Sequence, residues 1–388
     1  MTNSSLRSAL KALSFAVAAA LLAGCGIDAG KEYAKGARAF ADREYETALR
    51  HFGLVLKERP GDVDALVMLA RCEFAHGRRL SAALSHLKDA AASNASDSDI
   101  IELFAQIAFY SRDYASAEKH YSRLAADSSR PASVRAIGWA GLGVIDFMKI
   151  GQKADASSVY RDTARVKFLK AIELDARNAS ARYHLARLYR DSFNYLDVSK
   201  EQFEMFVYLE KDDVERLRKV REEIIPSLKD DIAKRAASLP GVSRKDPVAC
   251  AEFLKKADQH YAKKDYKKSN ALYSEALRRD PTSYAAAMGA VKTLHRPGAS
   301  RRDLEAALEA YRKACSIRPT SIKTLTETGD LAVSMGKTAL ATELYSRALA
   351  LTPSSRDVLG KYVACLARAG NRGAAAAYSG YLDFLGGK

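Results

Sequence analysis

Residues 33–60 read YAKGARAFADREYETALRHFGLVLKERP. Ala48, Phe52 and Val55 fall at i, i+4 and i+7, which places them on one face of a helix, because side chains three and four residues apart lie one above the other. Gly36 stands one helix earlier, where a missing side chain lets two backbones approach. Pro60 follows the periodic run and, having no N–H to donate, can end it. The stretch predicts two antiparallel helices joined by a short turn.

The same triple recurs at a spacing near 34 residues: Ala83-Leu87-Ala90, Ala117-Tyr121-Leu124, Ala164-Phe168-Ala171, Ser199-Phe203-Phe206, Ser269-Tyr273-Ala276, Ala307-Tyr311-Ala314 and Ala341-Tyr345-Ala348. A weaker copy, Ala374-Tyr378-Tyr381, comes last. Small residues precede the triples at Ala70, Ala105, Gly143, Ala186, Ala257, Gly289 and Gly329, and Pro281, Pro319 and Pro353 follow three of them. So regular a recurrence predicts a chain of helical hairpins from end to end.

In the first unit Gly36, Tyr45, Ala48, Phe52 and Pro60 occur in the order of the tetratricopeptide-repeat signature, which the pattern resembles. Trp139 falls where that family often carries tryptophan. The resemblance implies an all-α superhelical solenoid of antiparallel helix pairs that binds partners over extended surfaces.

Departures from the period mark the organisation. About nine residues are inserted around 151–157 and about six around Pro297-Gly298, both between the two helices of a unit. A degenerate repeat is expected between Phe203 and Tyr273, with one stripe at Val214, Leu217, Val220 and Ile224 and a second, after Pro226, at Leu228, Ile232 and Ala236. Residues 241–247 read as a break, so two arrays are expected, 30–240 and 248–388.

Before the repeats, Arg7 and Lys11 precede an apolar core from Ala12 to Leu22, and Leu22-Ala23-Gly24-Cys25 closes it. This has the parts of an export signal, with a core too short to span a bilayer. It resembles a bacterial lipoprotein signal, which implies a signal peptide over 1–24, lipid (palmitate among its acyl chains) on Cys25 and a tether over 25–29. Gly26 in place of Asp implies delivery to the periplasmic face of the outer membrane in a Gram-negative cell. Removal of 1–24 would take away Arg7 and Lys11 and lower the net charge from +15 to +13. A basic chain outside the cytoplasm suits acidic partners and excludes nucleic acid.

No catalytic constellation stands out. The seven histidines are scattered without HExxH, no GxSxG surrounds a serine, and no glycine-rich loop ends in GK followed by Ser or Thr. Cys72, Cys250, Cys315 and Cys365 form no CxxC pair, so no metal site is indicated. Buried free thiols or one disulfide are the two readings. The chain is read as a non-enzyme without a cofactor other than the lipid on Cys25.

Two surfaces are candidates for binding. Phe40, Phe74, Phe109 and Phe147 occupy the same position in the first four units, with Tyr33 and Tyr110 nearby. They read either as packing between helices or as an aromatic groove for a peptide or amphipathic helix. Lys255, Lys256, Lys263, Lys264, Lys267 and Lys268 read either as a solvated surface or as a basic patch for an acidic partner, anionic lipid or acidic glycan. Among lipoproteins built this way, the chain is similar to those that assist pilus biogenesis, which implies an adaptor for assembly of a pilus or secretion pore. Scaffolding of exopolysaccharide export, or docking of peptidoglycan hydrolases or proteases, are the alternatives.

Overall fold

The computed structural model describes residues 28–77, 79–150, 157–211, 213–238 and 245–387, and every regular element among them is helical. Contacts gather the chain into two compact units, one running to Gly141 and one from Leu142 onward. In the first, α1 (Ala29–Ala41) pairs with α2 (Tyr45–Glu58), α3 (Val63–Ala75) with α4 (Leu80–Asn94), and α5 (Ser98–Tyr110) with α6 (Tyr114–Ala126). Helix α7 spans Ala132–Lys149.

The second unit continues with α8 (Ser157–Leu174), α9 (Ala179–Leu188), α10 (Leu196–Leu209), α11 (Val214–Lys219) and α12 (Ile225–Ala237). Four hairpins complete it: α13 (Pro247–Ala262) with α14 (Tyr266–Arg279), α15 (Tyr284–Leu294) with α16 (Arg301–Ile317), α17 (Ile322–Ser334) with α18 (Thr338–Leu351), and α19 (Arg356–Arg368) with α20 (Arg372–Gly386). Residues on both sides of the break expected at 241–247 belong to this one unit.

Local chemistry explains where the helices begin. The first N–H groups of a helix lack partners within it, and a side-chain oxygen just before it can accept from one of them. Asp62 accepts from Ala65 N, Asp97 from Ile100 N, Asp113 from Ser116 N, Asn178 from Ala181 N and Asp246 from Ala249 N. Ser300 and Asp303 form a reciprocal pair at the head of α16.

The turns are equally regular. All eight residues of positive φ among those described, Arg43, Gly77, Arg112, Asn194, Lys264, Gly298, Gly336 and Gly370, lie between the two helices of a hairpin. One left-handed residue reverses the chain, and glycine adopts that conformation without the clash that a Cβ brings.

Packing follows the sequence triples. Ala48, Phe52 and Val55, Ala83, Leu87 and Ala90, and Ala341, Tyr345 and Ala348 are all buried. A Cβ at Gly36 would come within 2.9 Å of the Phe52 ring, one at Gly143 within 2.6 Å of Phe168 and one at Gly329 within 2.7 Å of Tyr345. The small residue is what admits the aromatic ring of the second helix. Gly289 differs: a Cβ there would run into Tyr273 of the preceding hairpin.

The other insertion falls on residues outside those described, apart from the start of α8. Helices α7 and α8, with 18 residues each, are longer than the 13 of α5 and α6. Pro226 does not divide the degenerate repeat. Right-handed helical backbone runs from α11 through a π-turn at Val220–Ile224 into α12, with the proline in its first turn. The wider turn accommodates a residue that cannot donate. The stripes around it are one helical run, packed against α10.

The second unit also closes on itself, because α20 packs against α8. At that seam Arg165 of α8 is fully buried. Its Nη1 donates to Ser346 Oγ at 2.9 Å and its Nη2 to the Ser346 carbonyl at 2.8 Å, with Tyr189 and Tyr378 hydroxyls at 3.3 and 3.4 Å. Asp162, equally buried, accepts from Tyr378 OH at 3.1 Å and lies 3.4 Å from Arg161. Phe193, in the π-turn that ends α9, lies 5.0 Å from the Arg165 guanidinium. Across the same seam Arg347 of α18 meets Asp197 of α10 at 3.4 Å.

Candidate functional site

The first helices of the three hairpins in the first unit lie side by side and supply a common face. Phe40 comes from α1, Arg71 and Phe74 from α3, and Glu102 and Gln106 from α5. With Ala75 and Leu103 they line a depression of about 150 Å³. Phe40 and Phe74 are half-buried. Phe40 lies edge-on to Tyr45 at 5.7 Å, and Phe74 lies 5.3 Å from Tyr110. Tyr110, 46% exposed, also meets Phe109 at 5.6 Å.

Phe74, Tyr110 and Phe109 thus form a run of three partly exposed rings, and Phe40 borders the same depression as Phe74. Tyr33 goes elsewhere, packing edge-on to Phe52 at 5.3 Å inside the α1–α2 hairpin, where burial raises its pKa. Phe147 belongs to the second unit, 6.1 Å from His184 and 4.9 Å from the Arg187 guanidinium.

Polar groups share the lining of the depression, which the aromatic register did not foretell. Gln106 Nε2 donates to Glu102 Oε1 at 2.8 Å, and burial pushes the Glu102 carboxyl above its usual range against the pull of Arg71. Arg71 in turn pairs with Asp99 at 3.1 Å. The signal was present in Glu102 and Gln106, an i, i+4 polar pair inside the otherwise apolar Ile100–Tyr110 run. A lining of rings with a few hydrogen-bonding groups among them suits a side chain or short segment of a peptide.

The six lysines are all exposed, and they separate into two places. Lys255 and Lys256 lie in the body of α13, with Lys256 Nζ 5.6 Å from the Phe253 ring and Arg279, at the far end of α14, 5.9 Å from it. Lys263 and Lys264 lie in the α13–α14 turn, and Lys267 and Lys268 in the first turn of α14. Lysines that follow α13 complement its dipole, whereas those at the head of α14 oppose it.

Cys25 and the signal over 1–24 lie outside the described residues. Asp28 already caps α1, accepting from Lys31 N, and Ala29 is its first residue. The other four cysteines are free thiols: Cys72, Cys250 and Cys365 are buried and Cys315 is half-buried. Burial pushes Cys72 up to about 12. Among the described residues no group of His, Cys, Asp and Glu could hold a metal ion, and no helix is long and apolar enough to cross a membrane.

Residues 33–98 and 254–322 match the sequence profile of the tetratricopeptide repeat. No curated protein matches the chain. Similar solved structures include PilF of Pseudomonas aeruginosa, 16% identical over 53% of this chain and 90% of that chain, with a TM-score of 0.40. A tetratricopeptide repeat protein from Parabacteroides merdae is 11% identical over 87% and 98% of the two chains, TM-score 0.33. The TPR2AB domain of yeast Sti1, solved with pHSP90, is 16% identical over 87% and 98%, TM-score 0.26. The chain has the all-α tetratricopeptide-repeat fold, and the stretches 33–98 and 254–322 carry that repeat's sequence pattern.

Proposed function

We propose that the protein is a lipid-anchored scaffold of the bacterial envelope that recruits protein partners during assembly of a pilus or secretion pore. The observation that carries the recruiting role is the ring-lined face of the first unit, where Phe40 and Phe74 line one depression with Glu102 and Gln106. Lining a groove with half-exposed rings costs little side-chain entropy and offers large contact area to a partner. The envelope location rests on the Leu22–Cys25 sequence and the apolar run before it.

A photo-crosslinking residue at position 74 or 109, introduced in living cells, tests the recruiting role. Dominant capture of a pilus or secretion-pore component is the expected result. Capture no greater than from an exposed control position returns those rings to packing. Cys25→Ser tests the anchor: the variant is expected in the soluble fraction, and continued membrane retention overturns lipidation as the means of attachment.

A further inference from the structure

The turns between the helices of successive hairpins line one edge of the second unit's repeats, and that edge is cationic. The α13–α14 turn brings Lys263, Lys264, Lys267 and Lys268 there. The next hairpin brings Lys292 and Arg296 at the end of α15, and Arg301 and Arg302 at the head of α16. The two groups touch. Lys292 Nζ lies 4.1 Å from the Tyr261 ring and the Arg296 guanidinium 5.0 Å from the Tyr266 ring. Tyr261 and Tyr266 flank the α13–α14 turn 5.5 Å apart. Neighbouring helix axes are roughly 8–10 Å apart, so the charges repeat along the stack at about that pitch. Lys337, then Arg368 and Arg372, continue the row at the following two turns.

The carboxylates near this edge have other partners. Asp265 accepts from Lys268 N at the head of α14 and meets His260 at 3.1 Å. Asp258 accepts from Tyr273 OH. Asp303 caps α16 and lies 3.4 Å from Arg296, while Glu305 pairs with a largely exposed Arg301. Among the described residues, Lys263, Lys264, Lys267, Lys268, Lys292 and Arg302 have no ion-pair partner.

Local stability does not account for the row. Lys267 and Lys268 oppose the α14 dipole. Lys264, at φ 59°, holds the left-handed conformation that glycine holds at Gly336 and Gly370 and that Arg43, Arg112 and Asn194 hold in other sister turns. Nor does the edge resemble a protein interface. The large apolar side chains that stand exposed in this unit, Met148, Met205, Tyr208, Val214, Val248 and Ile322, belong to none of the turns from α13 to α20 that carry these cations. Protein interfaces are usually anchored by such groups. A linear polymer with repeated charge and no apolar side chains needs only evenly placed cations.

We propose that this edge is a binding track for a linear carboxylated polysaccharide. The track is a property of the described residues and stands whether or not Cys25 carries lipid. The full-length protein is titrated with alginate, with neutral dextran, with polyglutamate and with vesicles of anionic phospholipid, each across a salt series. Alginate is expected to bind and dextran not, with log affinity falling linearly against log salt as counterions are released. Combining Lys263→Gln, Lys264→Gly, Lys267→Gln and Lys268→Gln should weaken alginate at least ~10-fold and flatten the salt slope. Lys255→Gln with Lys256→Gln, in the body of α13, should leave it unchanged. Circular dichroism checks that both variants keep their helicity. Absence of alginate binding to the wild type overturns the track, as does equal weakening in the two variants. Tighter binding of polyglutamate points instead to an acidic protein, and tighter binding of the vesicles to a membrane surface; either result overturns the polysaccharide.

Discussion

Arg165 Nη2 donates to the main-chain carbonyl of Ser346 at 2.8 Å, although 181 residues separate them in the chain. The guanidinium spans the seam between α8 and α18 and replaces its lost hydration with one carbonyl and several hydroxyl partners. Breaking a buried ionic group by removing one member typically costs about 3–5 kcal/mol, because its partners remain desolvated. Arg165→Met should fall in that range by urea denaturation, and Ser346→Ala, which keeps the carbonyl bond, should lose only about 1 kcal/mol. Equal losses would mean that the charge itself contributes nothing particular to the seam.

Acid should weaken the second unit through His184. Its ring is half-buried against Phe168, stacked at 5.9 Å, and its buried Nδ1 has no hydrogen-bond partner among the described residues. Burial first, then Arg187 and Arg216, depress its pKa to about 3. Because the folded form binds the proton less readily than the unfolded chain, the stabilisation is whole above the unfolded value. It declines as pH falls from about 6.5 towards 3, by about 1.4 kcal/mol per unit. Stability measured at about pH 7 and about pH 5 should differ by roughly 2 kcal/mol more in the wild type than in His184→Leu. A parallel decline in both proteins would remove His184 as the source.

Two glycine replacements should act in opposite directions. Gly289→Ala drives a methyl group into the buried Tyr273 ring, and overpacking of this kind costs about 1–3 kcal/mol. Gly360→Ala, in the middle of α19 with nothing within 4 Å, should stabilise by about 0.5–1 kcal/mol through reduced backbone entropy of the unfolded chain. Thermal melts of the two variants distinguish them. A neutral Gly289→Ala would show that α15 can shift away from α14.

Phe74→Ala combined with Phe109→Ala should reduce crosslinked partner to near the level of an exposed control, with the helical circular dichroism signal retained. Phe74 lines the depression and Phe109 meets the half-exposed Tyr110, so both rings border the open side of the face. Unchanged capture would remove the groove from the function.

The hairpins were legible because each depends on neighbours within one repeat: Gly36 with Phe52, or Asp62 with the α3 amides, are separated by few residues and impose a recurring pattern. Arg165 was not legible for the opposite reason. Its partners Ser346 and Tyr378 lie in other repeats, and periodicity says nothing of which distant helices meet. Asp162 and Arg165 sat three residues apart within the packed Ala164-Phe168 register, a charged pair where apolar residues are usual. Pro226 misled because a π-turn can absorb a residue that ends an ordinary helix. Among the lysines, sequence proximity grouped Lys255 and Lys256 with the turn, whereas helix geometry sets them well along α13.

The contact of α20 with α8 restricts how this protein can change over generations. An open row of repeats can gain or lose a hairpin at either end by duplication or deletion, since every copy rests only on its neighbours. In the second unit α20 and α18 must arrive at α8 with Tyr378 opposite Asp162 and Ser346 opposite Arg165. One hairpin more or fewer between α10 and α18 would carry those partners past each other, so the number of links in this part of the chain is set by its fastening.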